Sequence, residues 1–365
     1  MYSTVKTTKK EPLIRIVKKE DIGKANAIII RVVAILLALL TGGLLMLILG
    51  KNPIEIYSSM VNGAFDGKIR IQETIKVAIP LLVAGIGVSY AFKMKFWNIG
   101  GEGQILMGGI AATAIVVYGE SIPKIPKLIL MFFAAIIAGG LYGSIPAFFK
   151  SKWNTNETLF TLMLNYIALQ FVRLLQYRDG WQAQGTTFPK IRNFTMDERL
   201  PKILGVHIGW IIALVIVIIS YIYLNKTKQG YEISVVGGSE NTAKYAGMNV
   251  GKIFIRTMFI SAALCGIVGF LQVAGADGTL TENTAGGDGF TAITVAWMSH
   301  LNPFIMVLMS LFIAFLERGA SNIQTTHGIP ASMASVLTGI ILFFMLGSEF
   351  FINYKVIFRK KVKEE

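Results

Sequence analysis

The run FWNIGGEGQILMGGIAA occupies residues 96–112, and a second run, GGDGFTAITVAWM, occupies residues 286–298. Both open on glycines around one carboxylate, Glu102 in GGEG and Asp288 in GGDG, and both continue into an apolar stretch. An apolar helix-like segment precedes each, AGIGVSYAF before the first and CGIVGFLQVAG before the second. Glycines permit a sharp turn and close backbone approach. A carboxylate in a first helical turn is stabilised by the positive end of the macrodipole. The two units therefore read as one repeated pattern of helix, polar turn and new helix start.

Working outward, the chain of 365 residues is 53% apolar and only 15% charged, against roughly 25% charge in a soluble domain. Its apolar residues fall in blocks of about 20, the length that crosses a hydrocarbon core. The expected fold class is an all-α integral membrane protein of about ten transmembrane helices (8–10), with inverted repeats and broken or short helices. Spans are expected at residues 27–49, 75–92, from the glycine run to 117, and at 128–149, 158–175, 210–224, 254–274, 304–320 and 333–351. A piece at 290–298 is too short to cross as a straight helix, and 50–70 reads as a polar stretch. Asn165, Gln170 and Arg173 lie in the fifth span and are costly against lipid, so they are expected to face protein or water.

The net charge of +14 does not read as nucleic-acid binding, because the basic residues flank apolar blocks instead of gathering on one face. They fit the excess of Lys and Arg on cytoplasmic loops. Ten spans put both termini on one side. With the termini cytoplasmic, the inner segments hold 22 of the 35 Lys and Arg. The expected organisation is a basic cytoplasmic tail at 1–26, a transmembrane domain at 27–352 and a second basic cytoplasmic tail at 353–365. Within the domain, 176–206 is expected to be an extracellular loop and 225–252 a cytoplasmic one. The first repeat then enters from outside and the second from inside, the inverted arrangement of many transporters.

Chemistry of other kinds has little support. Cys265 is alone, so no intramolecular disulfide forms. His207, His300 and His327 are scattered without carboxylate or Cys at ligand spacing, so no metal site or cofactor is expected. No nucleophile, base or metal constellation points to an enzyme. The chain has no GxxxxGK[ST] run, so any ATPase must be another chain.

The run at 96–112 resembles the signature of permease subunits in ATP-binding-cassette importers of the simple sugar and nucleoside type. NETLFTLMLNYIA at 156–168 is similar to the family's second block, and VVGGSENTAKYAGMNVGK at 235–252 to its cytoplasmic coupling segment. FISAALCGIVGFLQVAG, GFTAITVAWMSHLNP and the segment at 317–320 follow in the family's order. The nearest look is to nucleoside permeases that work with a lipoprotein receptor of the basic membrane protein type. One departure is Ser299-His300, where relatives carry Leu-Gly before the Asn-Pro pair.

The resemblance implies a bacterial cell-membrane subunit with three protein partners: an ATP-binding-cassette ATPase, a second and related permease, and an extracellular substrate-binding lipoprotein. The cargo it implies is a nucleoside or related sugar. Ser239 or Asn241 can cap a short helix through Tyr245 that Gly247 ends. Glu240, Asn241, Lys244, Tyr245 and Gly247 are the candidate ATPase-coupling residues. Asn98, Glu102, Gln104, Asn156, Asn165 and Asp288 are the pathway candidates, their neutral amides suiting hydroxyls and bases. For each amide an interhelical hydrogen bond is an equal alternative, and for each carboxylate a helix cap. A secondary transporter driven by an ion gradient is the alternative class. A branched-chain amino acid permease is a further one, against which the glycine run argues.

Overall fold

The structure, a computed structural model, describes residues 14–19, 23–185 and 188–358. The helices are α1 (Lys24–Ile48), α2 (Pro53–Phe65), α3 (Gly67–Lys93), α4 (Gly101–Tyr118), α5 (Lys124–Trp153), α6 (Glu157–Gln176) and α7 (Gly209–Lys226). They continue with α8 (Lys228–Gly238), α9 (Glu240–Tyr245), α10 (Val250–Leu271), α11 (Asp288–Met298), α12 (Pro303–His327) and α13 (Ala331–Asn353). Four short strands complete the list: β1 (Ile14–Lys18), β2 (Lys202–Ile203), β3 (Val206–His207) and β4 (Tyr354–Phe358). Among the described residues, nine helices are long and apolar enough to cross a membrane, and α11, with 11 residues, is not one of them. The protein is an all-α integral membrane protein.

The chain divides into two compact units, one of residues 1–59 and 320–365 and one of 60–319, with the boundaries inside α2 and α12. In the first unit α1 packs along α13. Arg31 donates to Glu349 Oε1 from Nε at 3.1 Å and from a terminal nitrogen at 2.8 Å, neutralising a cation inside an apolar helix. A Cβ at Gly42 would lie 2.5 Å from Leu337 and 2.7 Å from the Tyr57 hydroxyl. β1 pairs antiparallel with β4, Ile14 opposite Phe358 and Lys18 opposite Tyr354.

That ribbon corrects part of the sequence reading, which took 1–26 and 353–365 as plain tails. IRIVK and YKVIF are five-residue runs rich in β-branched and aromatic residues, too short to stand out among basic neighbours. Residues 1–13, 20–22 and 359–365 of those tails lie outside the described residues. A second correction falls on 50–70, read as a polar stretch. Asn52 accepts from Ile54 N at 3.1 Å, Pro53 is the first helical residue, and Ile56, Met60 and Ala64 repeat every four residues, at most 2% exposed. This is a helix whose apolar stripe is only one residue wide.

In the second unit the core lies where α3, α4, α5 and α10 cross. Helices in lipid gain little from hydrophobic burial and associate by close backbone packing. A Cβ at Gly108 would lie 2.2 Å from Gly266 O, one at Gly139 2.6 Å from Ala262 O, and one at Gly269 2.0 Å from Ile105 O. These glycines are required by contact, since larger residues would force α4 and α5 off α10. α3 is buried from Ala78 to Phe92 on every side. At one end, residues 177–185 and 188–208 lie against the bundle, Trp181 donating to the Tyr118 hydroxyl and Arg192 to Val116 O. There Glu198, 3% exposed, receives Arg192 at 3.1 Å and Lys127 at 3.4 Å. Burial alone raises a carboxyl's proton affinity. The Thr195 N–H, Arg192 and Lys127 outweigh it and hold Glu198 below the ordinary range.

Candidate functional site

The two glycine runs meet. Gly101, the first residue of α4, and Gly289, in the first turn of α11, abut so closely that a Cβ at Gly289 would lie 2.2 Å from Glu102 N. Two helix N-termini, each the positive end of a dipole, therefore converge on one seam. Glu102 bridges them: its Oε1 accepts from Gly287 N at 2.8 Å and its Oε2 from Gly289 N at 3.0 Å. Gly287 sits at φ +91°, the left-handed region that starts α11 and that only glycine enters without strain. The sequence pattern suggested that each carboxylate caps its own helix. The structure has Glu102, in the first turn of α4, cap α11 instead. Asp288 does not return the favour to α4; it accepts from Gln272 Nε2 at 3.0 Å, tying α11 to the π-helical segment Gln272–Asp277 that ends α10.

The amides of the first run form one buried knot. Asn98 and Gln104 bond in both directions, at 3.2 and 3.0 Å, and Asn98 also accepts from Gly100 N at 3.0 Å and reaches Ser261 on α10 at 3.3 Å. Asn165 accepts from Gly103 N at 2.8 Å and donates to Ile99 O at 2.9 Å. Asn98, Gln104 and Asn165 are at most 6% exposed, and the free N–H and C=O groups of the turn are satisfied by Thr161 and Asn165 of α6 and by Asn98 of the turn itself. Asn156 is employed separately, as the N-cap of α6 accepting from Leu159 N.

Beside this knot lies an aromatic cluster. The rings of Trp97 and Trp297 are 5.9 Å apart, and Phe92 sits 5.4 Å from the first and 5.7 Å from the second. Both tryptophans are close to half exposed. Trp297 carried a usable signal in its spacing, since it falls seven residues after the half-exposed Phe290 and so shares a helix face with it. Gln272 and Ser261, also missed, sit in apolar helices where single polar residues carry no pattern.

At the other end of α7 and α10, residues 225–252 are helical and not a loop. α8 packs on α3, with Gly237 against Lys93 O, and α9 follows after Ser239. Of the two caps expected, Ser239 is the one used, accepting from Thr242 N at 3.3 Å. Ala243 is buried while Glu240, Asn241 and Lys244 are exposed, and Tyr245 is 92% exposed. Gly247, at φ +75°, turns the chain away. The short helix thus offers its polar face outward from a rigid base.

Nine helices long and apolar enough to cross a membrane, counted among the described residues, with glycine-packed crossings and an abutting pair of helix starts in the second unit, describe a multi-pass membrane protein. Comparison with known proteins agrees. The family described as branched-chain amino acid transport system / permease component matches residues 70–346, and the chain belongs to that family. Among curated relatives, it is 31% identical to the glucose ABC transporter permease protein TsgB13 of Haloferax volcanii, over 89% of this chain and 88% of that one. It is 30% identical to the guanosine ABC transporter permease protein NupP of Bacillus subtilis, over 89% and 94%. A nucleoside ABC transporter permease protein, NupB of Lactococcus lactis, is 29% identical over 88% and 91%.

Proposed function

We propose that this chain is the permease subunit of an ATP-driven importer for nucleosides or related simple sugars. The observation that carries the reading is the match over about nine-tenths of the chain to permeases named for guanosine, nucleosides and glucose. The chain sits in a bacterial cell membrane with both termini cytoplasmic. It pairs with a related permease to enclose the pathway, takes cargo from an extracellular binding lipoprotein and is driven by a separate ATPase. Catalysis of ATP hydrolysis belongs to that partner.

In this reading the seam between α4 and α11 borders the pathway. Glu102 and Asp288 hold the two helix starts in register, and Asn98, Gln104 and Asn165 keep the polar turn intact, so that a small shift between the repeats opens or closes the passage as one body. Asn156 fixes the start of α6 beside it. The half-exposed Trp97 and Trp297 offer ring faces suited to a base or to the apolar face of a sugar. α9 is the coupling element, with Glu240, Asn241, Lys244 and Tyr245 as contacts to the ATPase and Gly247 as the turn that sets its angle.

The test is uptake of labelled uridine, guanosine and ribose by cells with and without the gene, repeated after ATP depletion with the proton gradient intact. Uptake that needs both gene and ATP supports the importer. Uptake that survives ATP loss and collapses with the gradient overturns it. Deleting residues 238–247 should abolish uptake while the protein stays in the membrane; normal uptake by that deletion would sink the coupling role.

A further inference from the structure

A groove of about 430 Å³ separates α8 from the start of α10, lined among others by Lys228, Tyr231, Glu232, Met248, Lys252 and Arg256. Its charges do not cancel. Glu232 is taken by Arg256 at 2.9 Å. Lys228 and Lys252 are exposed and, among the described residues, make no ion pair or side-chain hydrogen bond. Arg256 Nε is buried with no hydrogen-bond partner among the described residues, while the guanidinium itself is held by Glu232. The first turn of α10, a helix of 22 residues whose N-cap Asn249 already accepts from Lys252 N at 3.0 Å, adds the positive end of its dipole beside Lys252.

We propose that this groove binds the phosphate of an anionic phospholipid headgroup, held between Lys228 and Lys252 over the first turn of α10. The position argues for a lipid. Lys228 follows α7 by two residues and Lys252 is the third residue of α10, so both stand where membrane-crossing helices leave the hydrocarbon. Along α7 the exposed residues toward that end include Ile218, Ile219 and Ile222, apolar surface of the kind acyl chains cover, before the polar Asn225 and Lys226. The ligand would join α8 to α10 on either side of α9, and so set the footing of the short exposed helix by the composition of the leaflet.

The experiment uses the purified full-length chain. Retained lipid is counted by mass spectrometry after exchange into nanodiscs of phosphatidylcholine with or without phosphatidylglycerol, for the parent, K228Q/K252Q and K228R/K252R. Each lysine near an anionic surface is worth roughly fivefold in affinity, so the Gln pair should bind phosphatidylglycerol about 25-fold more weakly, and the Arg pair like the parent. Millimolar inorganic phosphate should not displace the lipid. Equal retention by parent and Gln pair overturns the proposal. So does displacement by inorganic phosphate without preference for phosphatidylglycerol, which assigns the groove to a free anion. Unchanged retention with lost binding to the ATPase chain overturns it in favour of a protein partner. All three readings are independent of which solute is carried; a monodisperse elution profile shows that the variants fold.

Discussion

Replacing Glu102 by Ala removes both acceptors that receive the N–H groups of Gly287 and Gly289. Neutral side-chain hydrogen bonds between membrane helices average only about 0.6 kcal/mol. A partly buried carboxylate receiving two helix-start N–H groups belongs to the stronger class, about 1.5–3 kcal/mol each. The Ala variant should therefore lose roughly 3–6 kcal/mol, a large share of a total stability of about 5–15 kcal/mol. Gln keeps one acceptor and turns its amide N–H₂ toward the other donor, so Glu102→Gln should lose at least half as much. The assay is heat stability of the detergent-solubilised chain, read as the monomeric fraction surviving on size exclusion. The expected order is parent, Glu102→Gln, Glu102→Ala, with the Ala variant melting at least 5 °C below the parent. If the Ala variant is as heat-stable as the parent, the seam does not depend on this bridge.

Gly289→Ala should destabilise by about 1–3 kcal/mol through overpacking of the seam, with uptake falling further than the loss of protein amount explains when both are measured. His207 is buried beside Lys76 and Lys202, and burial first, then those two cations, push its imidazole down to about 4. Below an unfolded value near 6.5 the unfolded chain binds the proton and the folded one does not, so acidification from pH 7 to pH 5 should cost about 2 kcal/mol. His207→Gln should remove that part of the pH dependence of melting. In the buried network, Lys127→Met strands part of the Glu198 charge and should cost about 3–5 kcal/mol, whereas Lys127→Met with Glu198→Gln should recover part of it in the same melting assay.

Much of this was legible because lipid imposes length. Every apolar block became a helix, though α3 starts eight residues before its expected start at 75 and α12 runs seven beyond its expected end at 320, and the GGEG and GGDG runs announced two helix starts. What one chain of letters could not show is that the runs touch, since only the fold brings Glu102 onto the N–H groups of residues 185 and 187 positions away. The limits of α9 followed from Ser239 and Gly247, whose roles are local. α2 was missed because a stripe of Ile56, Met60 and Ala64 hides among polar neighbours, and β1 with β4 because neither strand has meaning without the other. Asn98, Gln104 and Asn165 were legible as polar groups that must be satisfied, while their partners were not.

The pairing of α1 with α13 also bears on how the protein is made. Arg31 leaves the ribosome 318 residues before its counter-ion, Glu349. Throughout synthesis the cation is left to the translocon or to lipid headgroups, and β1 has no strand to join. A chain released before α13 would carry an unanswered charge in its leading helix, a mark by which membrane quality control can tell an unfinished copy from a finished one.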